Sequence, residues 1–245
     1  RDAHGEPTGY LLELSALEAV AKKAFDFSQA YLKSTAKEFL GLCAGYGITG
    51  LSDIQILCPD MAPVYKALEK SGDLSLRINL TYPLDMGPAL VKETGAALSS
   101  DMLKIASLKA FVDGTPFCGT GFLTEPYENN PGFKGGPFLD FDSLASDIAC
   151  ASRLGIQVRL HACGDGAVRF ALDAFEKAAQ RTDIRPCRHT VEHIEIIHPN
   201  DLPRFGRLGV IPSVQPEHMN WRDLPSHPFF QILGEKRCWN AWPFK

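Results

Sequence analysis

The stretch Ile156-Gln-Val-Arg-Leu-His161, followed at once by Ala162-Cys-Gly-Asp165, carries most of what this sequence says about its fold. Aliphatic residues at 156, 158 and 160 alternate with Gln157, Arg159 and His161, so one face of an extended segment is apolar and the other polar. His161 closes the run at a Gly-Asp turn, after which residues 166–180 show helical periodicity. The pattern returns in Arg188-His-Thr-Val-Glu-His193, again a β-prone run that ends on a histidine. The separation of the two histidines matches one strand-helix repeat of a (β/α)₈ barrel, where chemistry gathers at strand ends.

The same rhythm extends in both directions. Helical periodicity over 26–46 stops at Gly47, and a strand follows over 48–53. A short helix over 63–71 is stopped by Gly72, and a strand over 74–81 alternates cleanly. A helix over 86–98 precedes a strand over 107–113. A helix over 141–154, closed by Gly155, precedes the strand at 156–161. Beyond the helix at 166–180 come a strand over 189–196, a short helix over 201–208 and a last strand over 209–215. Strands that alternate with helices predict a parallel sheet with right-handed crossovers, either open and doubly wound or part of a closed barrel. The polar faces favour the barrel. Arg77 and Asn79, Lys109 and Asp113, and Arg159 and His161 would line a shared polar interior, whereas strands of an open parallel sheet are apolar on both sides. The Gly/Pro/aromatic stretch 114–140 is long enough to serve as a lid.

Composition narrows the function classes. With 245 residues, 45% hydrophobic and 22% charged, the chain has the profile of one globular domain spanning 1–245. A net charge of −4 without a basic stripe argues against nucleic acid, and no apolar run approaches the roughly 18 residues of a membrane span. The 7 cysteines, Cys58 among them, show no C-x-x-C spacing, so neither a disulfide framework nor a thiolate zinc site is expected and a cytoplasmic setting fits. The polar start, Arg1 to Gly9, has no signal character and reads as a segment cut from something longer.

Lys109 and the two histidines are the candidate metal residues. An ammonium inside Leu108-Lys-Ala-Phe-Val112 would suffer a large desolvation penalty. It needs either a modification, such as a carbamate able to bridge two divalent ions, or an ion pair, for which Asp113 is the expected partner. Neutral imidazole at corresponding strand ends is a metal ligand or a packed, hydrogen-bonded core group. His189 shares the alternation of His193 but lies further from the strand end, where a ligand role is not expected. Asp165 suits a helix N-cap. Phe117, Phe122 and Tyr127 of the long loop are placed to line a pocket, and Trp221, Trp239 and Trp242 cluster near the end.

The ordered pieces Arg1-Asp-Ala-His-Gly-Glu-Pro-Thr-Gly9, Gly47-Ile-Thr-Gly50, Lys109-Ala-Phe-Val-Asp-Gly114, His161-Ala-Cys-Gly-Asp165, Val191-Glu-His193 and Ser213-Val-Gln-Pro-Glu-His218 resemble the amidohydrolase superfamily. The similarity is to the metal-dependent group that includes the N-substituted formamide deformylases. It implies an incomplete TIM-type barrel with about six central βα units present and the first and last strands missing. Lys109, His161 and His193 would correspond to metal-binding positions on the fourth, fifth and sixth strands, with zinc as the expected ion, one or two per site. Asp113, Asp165, Gln215 and His218 are the candidate substrate-binding residues for a small-molecule amide. The superfamily's His-x-His pair and terminal aspartate have no counterpart here, so the chain as given is expected to be inactive. Open barrel edges would invite self-association. A metal-free binding protein and a non-catalytic copy on the same scaffold are the competing readings.

Overall fold

In the computed structural model, residues 2–9, 11, 13–24, 26–56, 59–219 and 227–242 are described, so Cys58 and Trp221 lie outside the described residues. Elements alternate along the chain as α1 (Glu13–Ala24), α2 (Gln29–Gly45), β1 (Gly50–Ile54), α3 (Ala62–Lys70), β2 (Arg77–Pro83), α4 (Pro88–Leu98) and β3 (Leu103–Phe111), followed by α5 (Phe141–Arg153) and β4 (Gln157–Ala162). Then come α6 (Asp165–Ala179), β5 (Thr190–His193), α7 (Leu202–Leu208), β6 (Ile211–Ser213), α8 (Pro228–Leu233) and α9 (Glu235–Asn240). The six-stranded sheet has the order β1-β2-β3-β4-β5-β6. The pairs β1 with β2, β3 with β4, β4 with β5 and β5 with β6 run parallel. A doubly wound sheet reverses its order at a switch point, whereas this order never reverses, which is the winding of a βα barrel. No described helix is long and apolar enough to cross a membrane.

The chain forms two compact units, Arg1–Thr81 with Gly95–Ile105, and Tyr82–Thr94 with Ala106–Lys245. In the first, Ser28 caps α2 by accepting the Tyr31 N–H at 3.2 Å, and the helix buries Leu32, Ala36, Leu40 and Cys43, a stripe at helical spacing. β2 buries Leu80 fully and Ile78 almost fully, and Ile78 N–H donates to Met102 O at 2.7 Å. The second unit holds β4 to β6 and the C-terminal part of β3. Its apolar face, with Leu108, Val158, Leu160 and Val191, is completely buried, as are Ile148 of α5 and Leu172 and Phe175 of α6. A further cluster gathers Leu123, Tyr127, Ile196, Phe229, Leu233 and Trp242.

Two features, one strand boundary and the long loop, differ from the sequence expectation for identifiable reasons. β5 stops at His193 rather than running to 196, because His193 and Ile194 take left-handed φ values of 76° and 52°, which no strand continues through. The long loop is a packed insertion rather than a hinged lid. Leu123 N–H donates to Lys134 O at 2.7 Å, Tyr127 N–H to Phe133 O at 2.9 Å, and the Tyr127 hydroxyl to Gly121 O at 2.7 Å. Trp242 is buried in the apolar cluster while Trp239 is 42% exposed, so those two tryptophans occupy different environments.

Candidate metal centre

Three adjacent strands present charge on one face. The parallel register sets Lys109 beside Arg159 and His161 beside Glu192. Lys109, 4% exposed, meets Glu192 rather than the expected Asp113, and Arg159 donates to the other Glu192 oxygen from Nε at 2.7 Å and Nη2 at 2.6 Å. Asp113 lies beyond the end of β3 with its carboxylate taken up by three backbone N–H groups, whereas Glu192 lies on the same sheet face one strand beyond Arg159. Burial holds the Lys109 ammonium below its ordinary pKa, opposed by the Glu192 charge. Burial also pushes Glu192 upward, but Lys109 and Arg159 outweigh it and keep the carboxylate below its ordinary value.

His161, Cys163 and His193 converge beside this network, with their donor atoms all within 4.8 Å of one another. His161 Nε2 lies 3.0 Å from Gly114 O and 3.3 Å from Cys163 Sγ, and its ring centroid is 4.3 Å from that of His193. Strand alternation alone would put His193 on the same side as Val191, beneath the helices. The left-handed backbone at His193 and Ile194 breaks the alternation and brings the ring to His161. His189, which shares the sequence alternation of His193, stays on the helix side. There its Nδ1 accepts the Val158 N–H at 2.8 Å and its Nε2 meets the Ser152 hydroxyl at 2.9 Å.

Both converging histidines are held neutral. Burial, then the repulsion between the two rings were both protonated, and further behind it Lys109, lower His161 to about 3, while burial and then Lys109 lower His193 to about 4. Neutral imidazole is the metal-binding form. The His193 Nδ1 is buried without a hydrogen-bond partner among the described residues, an orphan that an ion would satisfy. Bond lengths of about 2.1 Å to nitrogen and about 2.3 Å to sulfur place tetrahedral donors roughly 3.5 Å apart. A set within 4.8 Å reaches that by contracting about an ångström. The residues therefore fit a divalent ion of zinc-like softness. The cysteine pattern does not point to Cys163, because C-x-x-C spacing marks only local thiolate pairs. Its two-residue spacing from His161 at a strand end was the available signal.

Asp113 and Asp165 anchor the long loop. Asp113, fully buried, accepts the N–H groups of Cys163, Gly164 and Phe122, each at 2.9 Å. Burial raises its pKa to about 7, against those three hydrogen bonds. Asp165 takes the Thr124 N–H at 3.0 Å and the Thr124 hydroxyl, and the N-cap position of α6 falls to Gly164 instead. Phe122 O accepts the Ala167 N–H at 3.1 Å, satisfying one of the helix's open donors. The loop can lie this close only because residue 164 has no side chain: a Cβ there would stand 2.0 Å from Phe122 O.

After β6, Gln215 and His218 lie near the histidines. The His218 ring stacks on His193 at 5.8 Å and an interplanar angle of 6°, and its Nδ1 is 3.2 Å from Glu195 Oε1. Gln215 Nε2 reaches Ser213 O at 3.4 Å, and its Oε1 is buried without a partner among the described residues. An open cavity of about 280 Å³ beside His218 is lined by Phe117, Glu195, His227, Phe229 and Trp242 among others. Of the three loop aromatics expected to line a pocket here, Phe117 does so. Phe122 borders a different cavity, and Tyr127 is buried in the apolar cluster.

Known proteins resemble this chain in sequence or in fold. Protein LONG AFTER FAR-RED 3 of Arabidopsis thaliana is 28% identical, over 88% of this chain and 39% of its own length. The putative amidohydrolase YtcJ of Bacillus subtilis (strain 168) is 28% identical over 100% of this chain and 45% of its own. An N-substituted formamide deformylase of Arthrobacter pascens is 23% identical over 86% and 40%. The fold is shared with an uncharacterized metal-dependent hydrolase from Pyrococcus horikoshii, at a TM-score of 0.75 and 23% identity, over 98% of this chain and 49% of that one. The chain thus spans less than half the length of the curated relatives it matches. A model of the amidohydrolase family matches residues 1–235, and the chain belongs to that family.

Proposed function

We propose that this chain carries metal-binding strands of a divalent-metal-dependent hydrolase that cleaves amide-type C–N bonds, with zinc as the ion and N-substituted formamides as the substrate class of the whole protein. The convergence of His161, Cys163 and His193 supports this reading. An ion held there would supply Lewis acidity toward a scissile carbonyl and acidify a water. His161 and His193, both kept neutral by burial, would hold it, and Cys163 supplies the soft third donor. Lys109 contributes through its charge. Carboxylation of its amine, which would allow a second ion, would set a new anion against Glu192 and first requires that ion pair to open. Gln215 and His218 border the same strand ends and are proposed as substrate contacts, while Asp113 and Asp165 shape the wall behind them. The donors present in the 245 residues suit metal binding without appreciable turnover.

Zinc titration of the metal-stripped chain, read by calorimetry, tests the reading. One ion is expected to bind, weakened by about tenfold or more in His161→Ala and in His193→Ala, in line with loss of a coordinating group. His189→Asn should bind like the wild type. Zinc affinity indifferent to His161 and His193 would overturn the metal centre and favour a metal-free binding protein.

A further inference from the structure

We propose that the cavity beside His218 is a subsite for an organic ammonium group. Its walls are aromatic and inclined to one another: Phe117 and Phe229 lie 5.7 Å apart at 37°, and Phe229 and Trp242 lie 5.6 Å apart at 73°. Among its described lining residues the one carboxylate belongs to Glu195, only 7% exposed. Glu195 Oε1 is engaged by His218 at 3.2 Å.

A carboxylate this deep retains a desolvation cost. A neutral aromatic ligand would cover the walls and bring that buried carboxylate no counter-charge, and an anion would be repelled by it. A cation satisfies both, because ring faces attract positive charge and the carboxylate neutralises it. The volume of about 280 Å³ suits one compact headgroup rather than a long chain.

The cavity abuts the metal donors through the stacked pair His218 and His193. On the hydrolase reading, the ammonium belongs to the amide substrate, on a substituent close to the scissile bond. That assignment rests on the proposed function, whereas ammonium binding itself does not.

Choline and its neutral isostere 3,3-dimethylbutan-1-ol, titrated into the metal-stripped chain by calorimetry, separate charge from shape. Choline should bind about tenfold or more tightly than the alcohol. Glu195→Gln should reduce that ratio to below about threefold, and Phe117→Ala, at a residue 52% exposed and so compatible with folding, should weaken choline by about threefold or more. Equal binding of the two probes, no binding of choline, or a preference untouched by both variants would overturn the subsite. Because no metal is involved, loss of zinc binding with choline binding intact would sink the hydrolase reading alone, and the reverse result would sink the subsite alone.

Discussion

Replacing His189 by asparagine should flatten the acid dependence of stability by a calculable amount. The ring is 1% exposed, stacks on Phe175 at 5.2 Å, and is fixed in one tautomer, because Nδ1 must accept the Val158 N–H. Nε2–H then donates to Ser152 Oγ, whose hydroxyl donates to Ile148 O at 2.7 Å. Burial lowers the folded pKa to about 4, below the roughly 6.5 of an unfolded chain. The unfolded state therefore takes up this proton first. The stabilisation is complete above about pH 6.5 and is lost as the pH falls toward 4, with a ceiling near 3 kcal/mol. Between about pH 7.5 and about pH 5 the expected loss from this residue is roughly 2 kcal/mol. His161 and His193 titrate in the same direction, so the wild-type slope alone is not diagnostic. Asparagine keeps an acceptor near the Nδ1 position and cannot titrate. Urea unfolding at the two pH values should show the wild type losing about 2 kcal/mol more than His189→Asn, even though the variant is less stable throughout. Equal losses would mean that His189 protonates in the folded state as easily as in the unfolded one, and the buried tautomer argument would fail.

Gly164→Ala should lower stability by about 3 kcal/mol and weaken zinc binding, because its Cβ meets the Phe122 carbonyl and must displace the loop anchored on Asp113. Gly132→Ala, where a Cβ meets nothing within 4 Å, is the neutral control in the same thermal melts. Lys109→Met should cost about 3–5 kcal/mol by leaving Glu192 buried without its near partner, and adding Glu192→Gln should recover part of that loss. Strictly additive losses across this double-mutant cycle would show that the pair is not coupled.

The barrel-type winding was legible because it depends on alternation at period two and on glycines at helix ends, both local properties. Residues 156–161 show this plainly, since Val158 and Leu160 are fully buried and Arg159 and His161 sit on the charged face. Partner choice was not legible. Lys109 has a carboxylate four residues further along the chain, and nothing in the sequence reports that β5 lies two strands away with Glu192 on the same sheet face. Asp113 reads as a charge and is used as a backbone acceptor, a role fixed by a loop that returns to it only in three dimensions. Helices α8 and α9 carry few periodic residues, and they are defined by packing of Phe229, Leu233 and Cys238 against the loop residues Leu123 and Tyr127.

The feature that matters most for the centre runs against local preference. Left-handed backbone at a histidine and then at a β-branched isoleucine costs on the order of 1–3 kcal/mol per residue, so something must hold it. Ile194 N–H donates to Ala162 O and Ile196 N–H to Cys163 O, both at 3.0 Å, while the Ile194 side chain is 97% removed from solvent by its 3% exposure. The acceptors belong to the turn that carries His161 and Cys163. Two backbone hydrogen bonds therefore couple the strained end of β5 to the end of β4, and bringing His193 to its neighbours is a consequence of how the two strands terminate. The three side chains are thus brought together by the way the two strands end. Zinc binding should accordingly order little additional structure, whereas loosening this turn should scatter the ligands together rather than one at a time.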